Sequence, residues 1–130
     1  MYQITKELAT HGIGEKGTHP LPWDERDIGF IDGWQIYDVR FLSDLGEDNP
    51  LALYALTIKD VCHQLATHKT VICCGAGQSR SNAIAVGALT YACMWNYWEA
   101  LALVKSEVPI CNIDPSHLAA LKKLFRVTIP

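Results

Sequence analysis

The stretch Val71-Ile72-Cys73-Cys74-Gly75-Ala76-Gly77-Gln78-Ser79-Arg80-Ser81-Asn82 decides the fold. It opens on four apolar residues, two of them β-branched, as a buried strand does. It closes on residues 81–93, a segment apolar almost all round that reads as a central helix. The loop between them holds Gly75 and Gly77, which let the backbone curl until several N–H groups point inward. A loop between a buried strand and a helix N-terminus is where anions bind in α/β folds. Cys74 opens this loop and Arg80 closes it, with five residues between them. A loop of that length can wrap a tetrahedral dianion. Gly75, Ala76, Gly77, Gln78 and Ser79 would line it, the Arg80 guanidinium would grip two oxygens, and the Cys74 sulfur would approach the central atom. The N–H groups, the helix dipole and Arg80 all favour a negative sulfur.

The elements on either side are of the same kind. Residues 34–41 alternate loosely in β-branched and aromatic side chains and read as a strand, followed by an acidic loop over 43–49. Asn49-Pro50 resembles an N-cap with proline at the first helical position, and Tyr54, Ile58, Val61, Cys62 and Leu65 recur at helical spacing, so a helix runs to near His68. Downstream, Asn96 and Glu99 form a capping-box pair for a helix ending at Glu107. Asp114-Pro115 starts a last helix whose buried face is Leu118, Leu121, Leu124 and Phe125. Before residue 34 the chain is punctuated by Gly12, Gly14, Gly17, Pro20 and Pro22, and loops are expected there with one short helix over residues 4–10. Strand and helix alternate, so the fold class is α/β, a three-layer-like sandwich with a central, mainly parallel sheet flanked by helices.

At 130 residues the chain is expected to form one domain, 1–130. Apolar residues make up 49% and charged residues 19%, which excludes a disordered tail. Eleven basic against fourteen acidic residues give a net charge of −3 with no basic block, so nucleic-acid binding is not expected. The N-terminus shows no apolar signal-peptide core, and the longest apolar run, residues 83–95, falls short of the ~18 residues of a membrane span. Five cysteines, with Cys73 and Cys74 adjacent, do not form an extracellular disulfide framework, so a soluble, cytoplasmic, thiol-reducing setting is expected.

Cys-x-Ala-Gly-x-Ser-Arg-Ser after an apolar strand resembles the signature loop of the cysteine-based protein phosphatases, in their compact dual-specificity branch. Trp98-Glu99-Ala100-Leu101, Val104-Lys105-Ser106 and Pro109-Ile110 resemble the family's following helix and its ending. The similarity covers roughly residues 34–125 and leaves residues 1–33 as a divergent N-terminal segment. It implies a protein-tyrosine-phosphatase-like fold. It also implies hydrolysis of phosphotyrosine, and of phosphoserine or phosphothreonine where the pocket admits them, in a protein or peptide, without metal or other cofactor. Cys74 would be the nucleophile that forms a phosphocysteine, Arg80 would bind the phosphate, and Ser81 would donate to the departing thiolate. The family's general acid is an aspartate about thirty residues before the cysteine. Asp44 fits best and Asp48 is its rival. The family usually has His where Cys73 stands, and Pro-Asn where Ile113-Asp114 stands, with Asn112 as a substitute for that Asn. No lysine lies in the loop, which disfavours phosphoinositides.

Other readings remain open at this point. Cys73 points into the core by strand alternation, with a redox role as the alternative. Arg40 reads as a surface salt-bridge partner or a phosphate-rim contact. Gly75-Ala76-Gly77 falls short of a dinucleotide fingerprint because Arg80 occupies a position that requires a small residue. The five histidines lack metal-ligand spacing with the cysteines. His63 and His68 read as solvent-side residues. The tryptophans read mostly as core, with Trp23 as a candidate for a substrate cleft, and Cys62, Cys93 and Cys111 as small buried hydrophobes. The aromatic stretch over 91–98 fits either core or a dimer patch. Two alternative functions compete with hydrolysis: a phosphate-binding module without turnover, and a rhodanese-like or oxyanion-reducing thiol protein on a similar loop. Asp44 discriminates, because sulfur transfer needs no leaving-group acid.

Overall fold

The computed structural model describes residues 1–14, 29–92 and 95–127. The elements run β1 (Tyr2–Gln3), β2 (Leu8–Gly12), β3 (Phe30–Ile31), β4 (Trp34–Asp38), α1 (Leu51–Leu65), β5 (Thr70–Cys74), α2 (Arg80–Ala92), α3 (Tyr97–Glu107) and α4 (Pro115–Leu124), with a 3-10 turn at Gly46–Asp48. The sheet order is β1-β2-β5-β4-β3. Strands β2 and β4 pair with β5 in parallel, and the two short edge strands are antiparallel. This is the α/β class that the strand–helix alternation predicts.

β5 is central and wholly buried, which is why its sequence is apolar without alternation. Ile72 and Cys74 face a core shared with buried residues of all four helices, including Tyr54, Ile58, Ile84, Leu89, Tyr97, Val104 and Leu121. Val71 and Cys73 face the other way, into a smaller cluster with Ala9, Ile13, Trp34 and Ile36. Helix α2 is buried from Arg80 to Leu89, as its lack of a polar face requires. It lies close against α1, since a Cβ on Gly87 would come within 2.3 Å of Ile58 Cδ1.

Several local expectations fail for identifiable reasons. Residues 4–10 form no helix. The Thr5 hydroxyl accepts the Glu7 and Leu8 N–H groups and turns the chain, and residues 8–10 are buried against β5, so sheet pairing overrides local helix preference. The β3–β4 hairpin is closed by Asp32 and Gly33 at φ 49° and 86°, the left-handed pair a two-residue turn demands. Asn49 is not the N-cap of α1, because Pro50 occupies that place. The Asn49 side chain instead accepts from Ser43 N and donates to Ser43 O, closing the loop before the helix. Helix α1 stops at Leu65 rather than near His68, though His63 and His68 are exposed as expected. The two C-terminal helices begin as the sequence implies, with a full capping box at Asn96 and Glu99 and an Asp114 cap with proline after it.

The tryptophans are not mostly core. Trp34 is buried, whereas Trp95 and Trp98 are exposed. The buried stripe of α3 is Tyr97, Ala100, Leu101 and Val104, which leaves Trp98 outside with Lys122 Nζ over its ring. Cys62 and Cys111 are half-buried. Trp23 and Cys93 lie outside the described residues. Among the described residues no helix is long and apolar enough to cross a membrane.

Candidate active site

The loop over 75–79 leaves the C-terminal end of β5 and enters α2 at Arg80. Its first half is held as an extension of the sheet. Ile13 N donates to the Cys74 carbonyl and Gly14 N to the Gly75 carbonyl, both at 2.9 Å. Gly77 sits at φ +75° and presses against β2, where a Cβ would meet Gly12 N at 2.7 Å. Gly12 is equally confined, because a Cβ there would lie 2.6 Å from the Ala76 carbonyl carbon. Two glycines thus face each other where neither can carry a side chain.

Asn82, which the sequence reading passed over, braces the second half. Its Nδ2 donates to the Gly77 and Gln78 carbonyls at 3.0 and 2.9 Å, and its Oδ1 accepts from Thr10 Oγ1 at 3.0 Å. Both Asn82 and Thr10 are fully buried. A polar residue in an otherwise apolar helix, two positions after the arginine, was the available signal. From the other side, Asn112 N donates to the Gln78 carbonyl, and Asp114 N donates to Ser79 Oγ. The segment where the family pattern has Pro-Asn therefore reaches the loop through backbone N–H groups.

Cys74 Sγ is buried at the base of the loop, 3.2 Å from Ser81 Oγ. Cys73 points to the opposite face of the sheet, as alternation predicts, and burial with the nearby Asp38 pushes its thiol up to about 12. Such a thiol is inert packing. Gly75 and Gly77 are buried, Ser79 is half-buried, and Ala76 and Gln78 are exposed.

Arg80 is 5% exposed and is held by the chain between β4 and α1. Its Nη1 donates to the Arg40 carbonyl at 3.2 Å and to the Leu42 carbonyl at 3.0 Å. Its Nε pairs with Asp44 Oδ1 at 2.9 Å, and the Asp44 side chain is 73% exposed. The structure thus brings Cys74 to Ser81 and Arg80 to Asp44, with Arg80 and Ser81 adjacent at the start of α2. Asp48 lies in the 3-10 turn beyond, with an exposed side chain. Arg40 pairs with Asp38 through Nε and Nη2, the latter at 2.8 Å, and donates to the Gly14 carbonyl. It is a salt-bridge partner, but a buried one, its guanidinium spanning from Asp38 at the end of β4 to the Gly14 carbonyl just after β2.

His117 is another residue that sequence reasoning missed. It is fully buried on α4, and its Nδ1 lies 2.6 Å from the Tyr54 hydroxyl. Burial lowers its pKa, against the pull of Asp114 and Asp44. A cavity of about 570 Å³ lies at the far end of the sheet near Leu8, Leu65, Ala88 and Leu89. It shares no residue with the cysteine–arginine loop.

No family model matches the chain, and no curated protein matches it by sequence. Its structure, in contrast, matches solved phosphatases. Human DUSP28 aligns over 95% of this chain and 94% of its own at 16% identity, with a TM-score of 0.72. Tk-PTP in its active form aligns over 98% and 97% at 15% identity, with a TM-score of 0.69. At such identity the likeness establishes the fold, which is protein-tyrosine-phosphatase-like over nearly the whole chain.

Proposed function

We propose that residues 1–130 form a single dual-specificity-phosphatase-like catalytic unit. In this reading the chain hydrolyses phosphomonoesters on proteins or peptides, phosphotyrosine first and phosphoserine or phosphothreonine where the pocket admits them. The observation that carries it is the 2.9 Å pair between Arg80 Nε and Asp44 Oδ1. An acid thirty residues upstream of the cysteine stands beside the residue that would hold the phosphate. A sulfur-transfer protein has no use for that acid.

In the first step Cys74 Sγ attacks phosphorus while Arg80 and the N–H groups of residues 75–80 take the equatorial oxygens. As a phosphate oxygen takes Arg80 Nε, the freed Asp44 carboxylate takes up a proton from solvent, replacing the one the Cys74 thiol gives up there on attack, and delivers it to the leaving oxygen, so an alcohol departs and a phosphocysteine remains. In the second step the Asp44 carboxylate accepts a proton from water as that water attacks phosphorus. The sulfur departs as thiolate, with Ser81 Oγ, 3.2 Å away, donating to it. No metal or cofactor enters either step. Free thiols at Cys73, Cys74 and Cys111 fit a reducing, cytoplasmic location.

The test is hydrolysis of an aryl phosphate with and without EDTA by the parent, Cys74→Ser, Asp44→Asn and Asp48→Asn. Expected is EDTA-insensitive turnover, abolished in Cys74→Ser, reduced about 10²–10⁴-fold in Asp44→Asn and retained in Asp48→Asn. A folded parent that binds vanadate without turning over the ester would overturn the enzymatic reading.

A further inference from the structure

The 43–49 loop rests on the N-terminal turn of α4, and the contacts flank Asp44 on both sides. On one side, Gly46 N donates to Ser116 Oγ at 2.6 Å. A Cβ on Gly46 would lie 2.5 Å from the Ser116 carbonyl carbon, so only glycine allows the loop to sit this close. The Ser116 hydroxyl is itself fixed, because it donates to Asp114 Oδ1, which also accepts Ser116 N. On the other side, Asn49 holds Ser43 through both its backbone groups and donates to the Tyr54 hydroxyl, which meets His117 Nδ1. Asp44 itself is largely exposed, and its carboxylate pairs with Arg80 Nε. The same short segment grips the phosphate loop, through Asp114 N to Ser79 Oγ and Asn112 N to the Gln78 carbonyl.

We infer that Ser116 is a positioning residue for Asp44: its hydroxyl ties the acid-bearing loop to the segment that also holds the phosphate loop, and so fixes the acid at the leaving-group side of the cradle. Ser116 touches neither phosphorus nor the leaving oxygen in this scheme, and it acts through Gly46. The inference rests on the phosphatase reading above. Its chemical consequence is specific. In the step that forms the phosphocysteine a displaced acid is missed only when the departing oxygen needs a proton, so the loss in kcat/KM falls on esters of weakly acidic alcohols and spares those of strongly acidic phenols.

The experiment compares kcat/KM, which reports the steps through phosphocysteine formation, for phenyl phosphate and for a dinitrophenyl phosphate in the parent, Ser116→Ala, Ser116→Thr and Gly46→Ala, alongside vanadate affinity. Ser116→Ala is expected to lose about 10–100-fold on phenyl phosphate, a fraction of what general-acid removal costs. On the dinitrophenyl ester and in vanadate affinity it is expected to lose less than about threefold, while Ser116→Thr, which keeps the hydroxyl, recovers most of the loss. Gly46→Ala pushes the loop off from its own side of the contact while keeping the Ser116 and Asp114 side chains, and should show the same leaving-group dependence. In an Asp44→Asn background, Ser116→Ala should add nothing. Equal losses on both esters, or an undiminished effect in the Asp44→Asn background, overturn the inference. The two readings fail separately: a parent without turnover, or an Asp44→Asn variant without leaving-group dependence, refutes the assignment of the site. The expected Asp44→Asn behaviour with an indifferent Ser116→Ala refutes only the role of Ser116.

Discussion

In the proposed reading the phosphate loop, residues 75–79, and the acid-bearing loop, residues 43–49, meet at Arg80, yet they are held by different means. The first is braced on every side: β2 borders it, Gly12 and Gly77 interlock, Asn82 bonds its carbonyls from inside α2, and residues 112–114 hold it from outside. The second is fastened at a few points around an exposed aspartate, by the Ser116 hydroxyl, the Asn49 amide and Arg80. The difference fits what each must do in the proposed reaction. An anion cradle acts by having its dipoles already aligned, so rigidity is part of its chemistry. An acid must leave Arg80, reach an oxygen and return, which a loop with few anchors allows.

The contrast is broken most completely at the cradle's own nucleophile. Cys74→Ser is expected to lower kcat by more than about 10⁴-fold, read as aryl phosphate turnover in EDTA. Asp44→Asn comes next at about 10²–10⁴-fold, but vanadate affinity, measured by inhibition or calorimetry, should not fall, because the carboxylate only competes for Arg80 Nε. Gly77→Ala should do the reverse. A side chain at φ +75° costs about 1–2 kcal/mol before any contact with Gly12. Vanadate affinity should therefore drop by about tenfold or more.

Asn82→Ala removes a fully buried amide and leaves Thr10 and two loop carbonyls without it, so unfolding by denaturant should show a loss of about 1–3 kcal/mol. If stability instead stayed at the parent's value, the phosphate loop would not be braced from within as described. The smallest effect concerns the other loop. His117 has its pKa lowered in the folded protein by burial, below the ordinary 6.5, so the unfolded chain takes up the proton first. Stability is then full above pH 6.5 and erodes as pH falls beneath it. Thermal unfolding of His117→Asn should show a shallower decline across that window than the parent.

The phosphate loop was legible in the sequence because its chemistry is local. A buried strand, two glycines, a cysteine and an arginine at fixed spacing are all contiguous, and the helix that follows has no polar face. The proposed acid was legible only as a distance along the chain, and the strand before it left Asp44 and Asp48 as rivals. What brought Asp44 to Arg80 is tertiary: the Leu42 and Arg40 carbonyls on Arg80 Nη1 and the seat of Gly46 on Ser116. Strand β2 escaped because its pairing partner, β5, lies about sixty residues away in sequence, and a helix over residues 4–10 was the better local guess. The Asp32-Gly33 hairpin was readable and passed over, since the strand was begun only after Gly33. Asn49 was misread for an instructive reason. An Asx residue before proline looks like a cap, but here its side chain turns back to close the loop that carries the acid.

The claim on which everything else rests is that phosphate passes through Cys74. Rapid quenching during aryl phosphate turnover, followed by peptide mass spectrometry, tests it directly. Ser81→Ala is the informative background, because loss of the hydroxyl 3.2 Å from the sulfur should slow breakdown of the intermediate and let it accumulate. The expected result is one phosphoryl group on the peptide bearing Cys74, formed in the parent, enriched in Ser81→Ala and absent in Cys74→Ser. Turnover with no covalent phosphate on Cys74, or with phosphate on another residue, would contradict it.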